Sequence, residues 1–102
     1  MIDGFHLELW NTENLTEEDR TYLVGQMGIF AVSPYDIFHA PVEVRPQRIE
    51  AHYLYEGEAH ETEQHIKAYL QELGLDEKIT VVLQHARWER KEEFPFPKDL
   101  LI

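Results

Sequence analysis

The chain has 102 residues and a mass of 12.1 kDa, with 20 acidic side chains against 9 Lys plus Arg and a formal net charge of -11. That length allows one modest core and leaves no room for two independent domains, while the charge argues against a nucleic-acid partner, whose phosphates are met by Lys and Arg, and against docking on an anionic membrane. No cysteine is present, which removes a disulfide framework, a thiolate zinc site and a cysteine nucleophile.

From Gly4 to Trp10, Phe5, Leu7 and Leu9 alternate with His6, Glu8 and Trp10, the pattern of a half-buried strand. Asn11 to Asn14 reads as a polar turn. Thr16, followed by Glu17, Glu18 and Asp19, supplies a capping hydroxyl and three acids at the positive end of a helix dipole. A helix is therefore expected over 17–27, stopped near Gly28, with Leu15, Tyr22, Leu23, Met27 and Phe30 on its inward stripe. A second strand is expected between Ile29 and Val44, as an edge strand or loop excursion, because Pro34 and Pro41 would interrupt a central ladder. Ile49 to Tyr55 is a clearer strand, with Ile49, Ala51, Tyr53 and Tyr55 on one face and Glu50, His52, Leu54 and Glu56 on the other.

Between Ala59 and Leu73 the period becomes helical, placing Thr62, Ile66, Tyr69, Leu70 and Leu73 on one side, with Gly74 as the stop. Ile79 to Trp88 opens with β-branched residues and reads as the last strand. The order β-α-β-β-α-β predicts a ferredoxin-like split βαβ domain of the α+β class, with both helices on one face of an antiparallel sheet. This single domain is expected over 1–90. The remaining 91–102, with Phe94-Pro95-Phe96-Pro97 and Leu100-Leu101-Ile102, reads as an extended apolar tail that packs on the domain or on a partner subunit.

No apolar run is long enough to span a bilayer, and the start of the chain lacks the basic and apolar regions of a secretory signal, so a cytoplasmic protein is expected. Six histidines invite a metal reading. His60 and His65 are five apart and diverge around a helix, unlike the four-residue spacing of a zinc protease. Glu61 and His65 have ligand spacing, with Glu58 or His52 as a third group, but the plainer reading is a hydrogen-bonded surface pair. No metal and no cofactor is assigned. His6 and His52 share the expected outer face, whereas His85 has the parity of Val81 and Leu83 and does not complete a three-histidine row.

Catalytic candidates are His39, Asp36, Tyr35 and His52, because a histidine beside a carboxylate can act as a general base and a tyrosine as an acid. Ser33 lacks the glycines of a nucleophile elbow. The outer sheet face also carries Trp10, Leu54 and Trp88. Its acids Glu8, Glu50 and Glu56 would repel a nucleic-acid backbone, so a protein interface fits it better than a base-stacking platform. The expected interface residues are Trp10, Leu54, Trp88, Phe94, Phe96, Leu100 and Leu101, and the expected assembly is a homodimer, with another protein as a further partner. The sequence thus describes a small acidic interaction protein; a cofactor-free enzyme, with a histidine, tyrosine and carboxylate pocket near a dimer interface, is the alternative.

Overall fold

A computed structural model describes residues 2–29, 31 and 42–88. In chain order these form β1 (Ile2–Trp10), a 3-10 turn (Thr12–Asn14), α1 (Glu17–Gly28), β2 (Val42–Val44), β3 (Arg48–Tyr53), α2 (Glu56–Leu73) and β4 (Thr80–Trp88). The architecture is α+β, with two helices and a four-stranded sheet ordered β2-β3-β1-β4. Each neighbouring pair of strands is antiparallel. The central position of β1 means that its two neighbours come from the later part of the chain.

Strand alternation decides which face meets the helices. Leu7 and Leu9 of β1 and Ile49, Ala51 and Tyr53 of β3 are fully buried, in one cluster with Leu23 and Met27 of α1 and Ala59, Ile66 and Leu70 of α2. Each buried Leu, Ile or Met among them contributes about 1.5–3 kcal/mol on leaving water, so this layer carries most of the apolar stabilisation. A buried polar tie in it is the Tyr53 hydroxyl, which donates to the Met27 carbonyl at 2.7 Å and links the sheet to the end of α1. Burial pushes that phenol well above its ordinary pKa of 10.

Local chemistry sets the ends of the helices. The Thr16 hydroxyl accepts from the Asp19 amide at 3.1 Å, with Glu17, Glu18 and Asp19 in the first turn. At the end of α2, Gly74 adopts φ +72°, and the Leu75 amide donates to the Leu70 carbonyl at 2.9 Å. This left-handed turn satisfies two of the last carbonyls of the helix and costs least at glycine.

Arg20 joins α1 to the β2–β3 hairpin. Its guanidinium donates to the carbonyls of Thr12 at 2.7 Å, Arg45 at 3.0 Å and Pro46 at 3.1 Å. The Asn11 amide adds a bond to the Gln47 carbonyl, so the end of β1 is held against the same turn.

Several expected positions differ. Among the described residues the second strand is Val42–Val44, within the range expected for it, and residues 30 and 32–41 of that range lie outside the described residues. Tyr22 is 48% exposed rather than inward, because it stands edge-on to Tyr69, which donates its hydroxyl to Asp19 at 3.0 Å. Tyr55 is 66% exposed rather than on the inner face of β3, because the strand ends at Tyr53 and Tyr55 caps α2. Glu56 likewise begins α2 and does not extend the sheet face. Leu73 lies exposed in the last turn of α2, outside the buried stripe formed by Ala59, Thr62, Ile66 and Leu70. Phe30 falls outside the described residues. No helix of the described residues is long and apolar enough to cross a membrane.

Candidate functional site

The face opposite the helices is built from the alternate positions of the same strands. Register places His6 directly across from His52, Glu8 across from Glu50, and Trp10 across from Arg48. Glu43 of β2 stands across from Glu50 on its other side. Three carboxylates, Glu43, Glu50 and Glu8, thus lie in one row across three adjacent strands. Like charges directly opposite each other destabilise a sheet, so this row needs compensation.

His6 provides part of it. Its Nε2 lies 2.9 Å from a Glu50 carboxylate oxygen, and its Nδ1 lies 3.1 Å from Glu8. Arg48 reaches the other Glu50 oxygen at 3.4 Å, and Arg45 reaches Glu43 at 3.5 Å. The side chains of His6, Glu8 and Glu50 retain only 20%, 13% and 10% of their exposure. One ligand-capable atom from each of these three lies within 4.8 Å of the others.

His52 stacks on His6 with ring centroids 4.5 Å apart and planes 4° from parallel. Burial, reinforced by the nearby His6 ring and opposed by Glu43, pushes its pKa down to about 4. The ring is therefore a neutral imidazole at neutral pH. Beyond this pair the strip ends in Arg48, whose guanidinium sits 5.0 Å above the Trp10 ring, within cation–π range. Trp10, Arg45, Pro46, Gln47 and Arg48 line a shallow cleft of about 340 Å³ there.

The structure brings His6 and His52 together on one face, as strand parity indicates. His85 lies elsewhere. It pairs with Phe5 in the β1–β4 ladder, meets that ring edge-on at 5.4 Å, and has its Nε2 3.7 Å from Asp3. Gln84, not His85, stands across from His6. On α2, His65 Nε2 is 3.8 Å from Glu61, with both side chains exposed. His52 faces away from this pair, in its stack on His6, and supplies no third ligand there.

Trp10 and Leu54 are exposed at 39% and 36%. Trp88 ends β4 across from Ile2, and its side chain falls outside the described residues. The same holds for Ser33, Tyr35, Asp36, His39, Phe94, Phe96, Leu100 and Leu101. The sequence placed Glu8 and Glu50 on the outer face, as acids that would repel a nucleic-acid backbone, but did not bring them into contact with His6. The burial of Glu50 and its contact with His6 depend on strand register, which alternation alone does not supply.

No protein-family model matches the chain, and neither a curated protein nor a solved structure gives a significant match.

Proposed function

We propose that the chain is a small cytoplasmic interaction protein of ferredoxin-like topology, which self-associates through the sheet face opposite its helices. The supporting observation is the composition of that face. Trp10 is exposed on it and Leu54 is exposed just past the end of β3, and the polar and charged side chains of the face are largely engaged with one another: His6 with Glu8 and Glu50, Arg48 with Glu50, and Arg45 with Glu43. Burying a charge that is already paired costs less than stripping water from an isolated one. A partner can therefore cover this surface without leaving many orphaned charges.

Charge also favours a second copy of the chain as that partner. With a net charge of -11, two copies repel each other most where carboxylates stand alone. On α2, Glu56, Glu58, Glu61, Glu63 and Glu72 are accompanied by one lysine, Lys67, and no arginine, with His60 and His65 beside Glu56, Glu63 and Glu61. On the sheet face three carboxylates meet two guanidiniums, so the approach there is the less repulsive one. A two-fold arrangement also lets the Arg45 and Arg48 end of each copy oppose acidic positions of the other.

Sedimentation velocity of the purified protein is expected to give a dimer. Trp10→Glu and Leu54→Glu should each shift it to a folded monomer, with the circular dichroism unchanged. A wild-type monomer at about 100 µM, a concentration that would reveal even weak association, would remove the reading. Of the catalytic candidates of the enzymatic alternative, Tyr35, Asp36 and His39 lie outside the described residues, and His52 is stacked on His6.

A further inference from the structure

We propose that His6, Glu8 and Glu50 form a binding site for one divalent first-row transition cation per chain. The inference goes beyond self-association and does not depend on it, because all three groups come from the same chain. The ligands sit on adjacent central strands, which hold a site more firmly than loops do.

Geometry provides the first argument. A zinc-sized ion about 2.0–2.2 Å from nitrogen and oxygen ligands requires ligand atoms about 3–4.3 Å apart. The present atoms lie within 4.8 Å of one another, and one pair is already at 2.9 Å. Glu50 lies at Nε2 and Glu8 at Nδ1 of the same ring, so an ion held by one nitrogen draws the other carboxylate around the ring edge by side-chain movement, without a change in strand register.

Charge provides the second. Glu43, Glu50 and Glu8 face each other in one row, and Arg48 and Arg45 each reach one carboxylate at 3.4 and 3.5 Å. Among the described contacts Glu8 meets only His6, at 3.1 Å. Glu43 is exposed, but the low exposure of the Glu8 and Glu50 side chains weakens solvent screening between them, so a dication there relieves repulsion across that pair. A row of solvated surface acids would carry no such penalty.

The donor set narrows the ion. One imidazole nitrogen and two carboxylate oxygens suit Zn²⁺, Co²⁺, Mn²⁺ or Fe²⁺, while the imidazole disfavours Mg²⁺ and Ca²⁺ and the absence of thiolate disfavours Cu⁺. His52 is not a fourth ligand in this arrangement. A metal lies in the plane of the ring that binds it, and the His52 plane runs parallel to that of His6 at 4.5 Å. Its role is to fix the orientation of the His6 ring, as supporting residues do around metal sites. Three protein ligands leave coordination positions for water or for an incoming group.

The test is calorimetric titration of Zn²⁺ into chelator-treated full-length protein, with native mass spectrometry for stoichiometry. One Zn²⁺ per chain is expected. Glu8→Gln and His6→Gln should each weaken binding by at least about tenfold, and His65→Ala, which disrupts the exposed pair on α2, should leave it unchanged. Circular dichroism establishes that each variant is folded; Glu8→Gln, an isosteric change at a partly exposed position, serves if His6→Gln does not fold. Absence of uptake at about 100 µM Zn²⁺, or uptake that His65→Ala abolishes and Glu8→Gln spares, would overturn the assignment. Binding by a protein that sediments as a monomer would support it while removing the self-association reading.

Discussion

Tyr53 shows how a single side chain links two layers. Its ring belongs to the fully buried core, while its hydroxyl satisfies the Met27 carbonyl at the end of α1. Tyr53→Phe keeps the ring and orphans that carbonyl, so a loss of about 1–2 kcal/mol is expected in urea unfolding. The same group predicts a response to alkali. Its pKa is raised on folding, so the folded state holds a proton that the unfolded state begins to release near pH 10. The stabilisation is complete below pH 10 and declines as pH rises toward the higher folded value. Tyr69 is raised in the same direction, so the decisive comparison is between wild type and Tyr53→Phe. A smaller loss of stability above pH 10 in the variant is expected, and parallel curves for the two proteins would refute it. At this scale the sequence was an uneven guide. Tyr53 was readable as inward-facing from alternation, whereas the burial of Glu50 was not, because a glutamate at an outer position looks the same whether it faces water or a histidine on the next strand.

Among the elements, α1 depends more on its neighbours than on its own apolar face, since Leu23 and Met27 are its only buried residues. Arg20 supplies the missing attachment by donating to three carbonyls at the base of the β2–β3 hairpin. Arg20→Met retains the aliphatic stem and removes the donors. A loss of about 1.5–3 kcal/mol is expected, in line with bonds to charged groups, together with faster amide exchange at Asn11 and Arg48, whose amides bond within this turn. Unchanged exchange there would mean that the hairpin holds its shape without the arginine. The two helices and three of the strands were legible because each is long enough to show its period. β2 was legible only as a broad range, since its three described residues cannot display alternation and its pairing depends on β3. The α2 stripe was read one turn too far toward its end, where Gly74 and Leu75 close the helix and leave Leu73 in solvent.

For the whole molecule, charge is the dominant variable. Two copies with a net charge of -11 meet across a long-range repulsion that salt screens, with a Debye length of about 10 Å at 0.1 M. If the sheet faces associate, raising ionic strength from about 20 to about 150 mM should tighten the dimer, as measured by sedimentation equilibrium; weakening would indicate an interface governed by short-range ion pairs. The architecture class was recoverable from the order of periodic segments, but the cluster of His6, Glu8, Glu50 and His52 required the register that aligns β1 with β3. The central position of β1 also constrains how the chain reaches its native state. The first strand is complete after Trp10, yet its partners begin at Arg48 and Thr80. Closing such distant pairs costs chain entropy before the contacts repay it, so folding is slower than that of a helical bundle of this size. A growing chain presents both edges of β1 unpaired until β3 and then β4 have been synthesised, and the interval before β4 is when it is most exposed to aggregation.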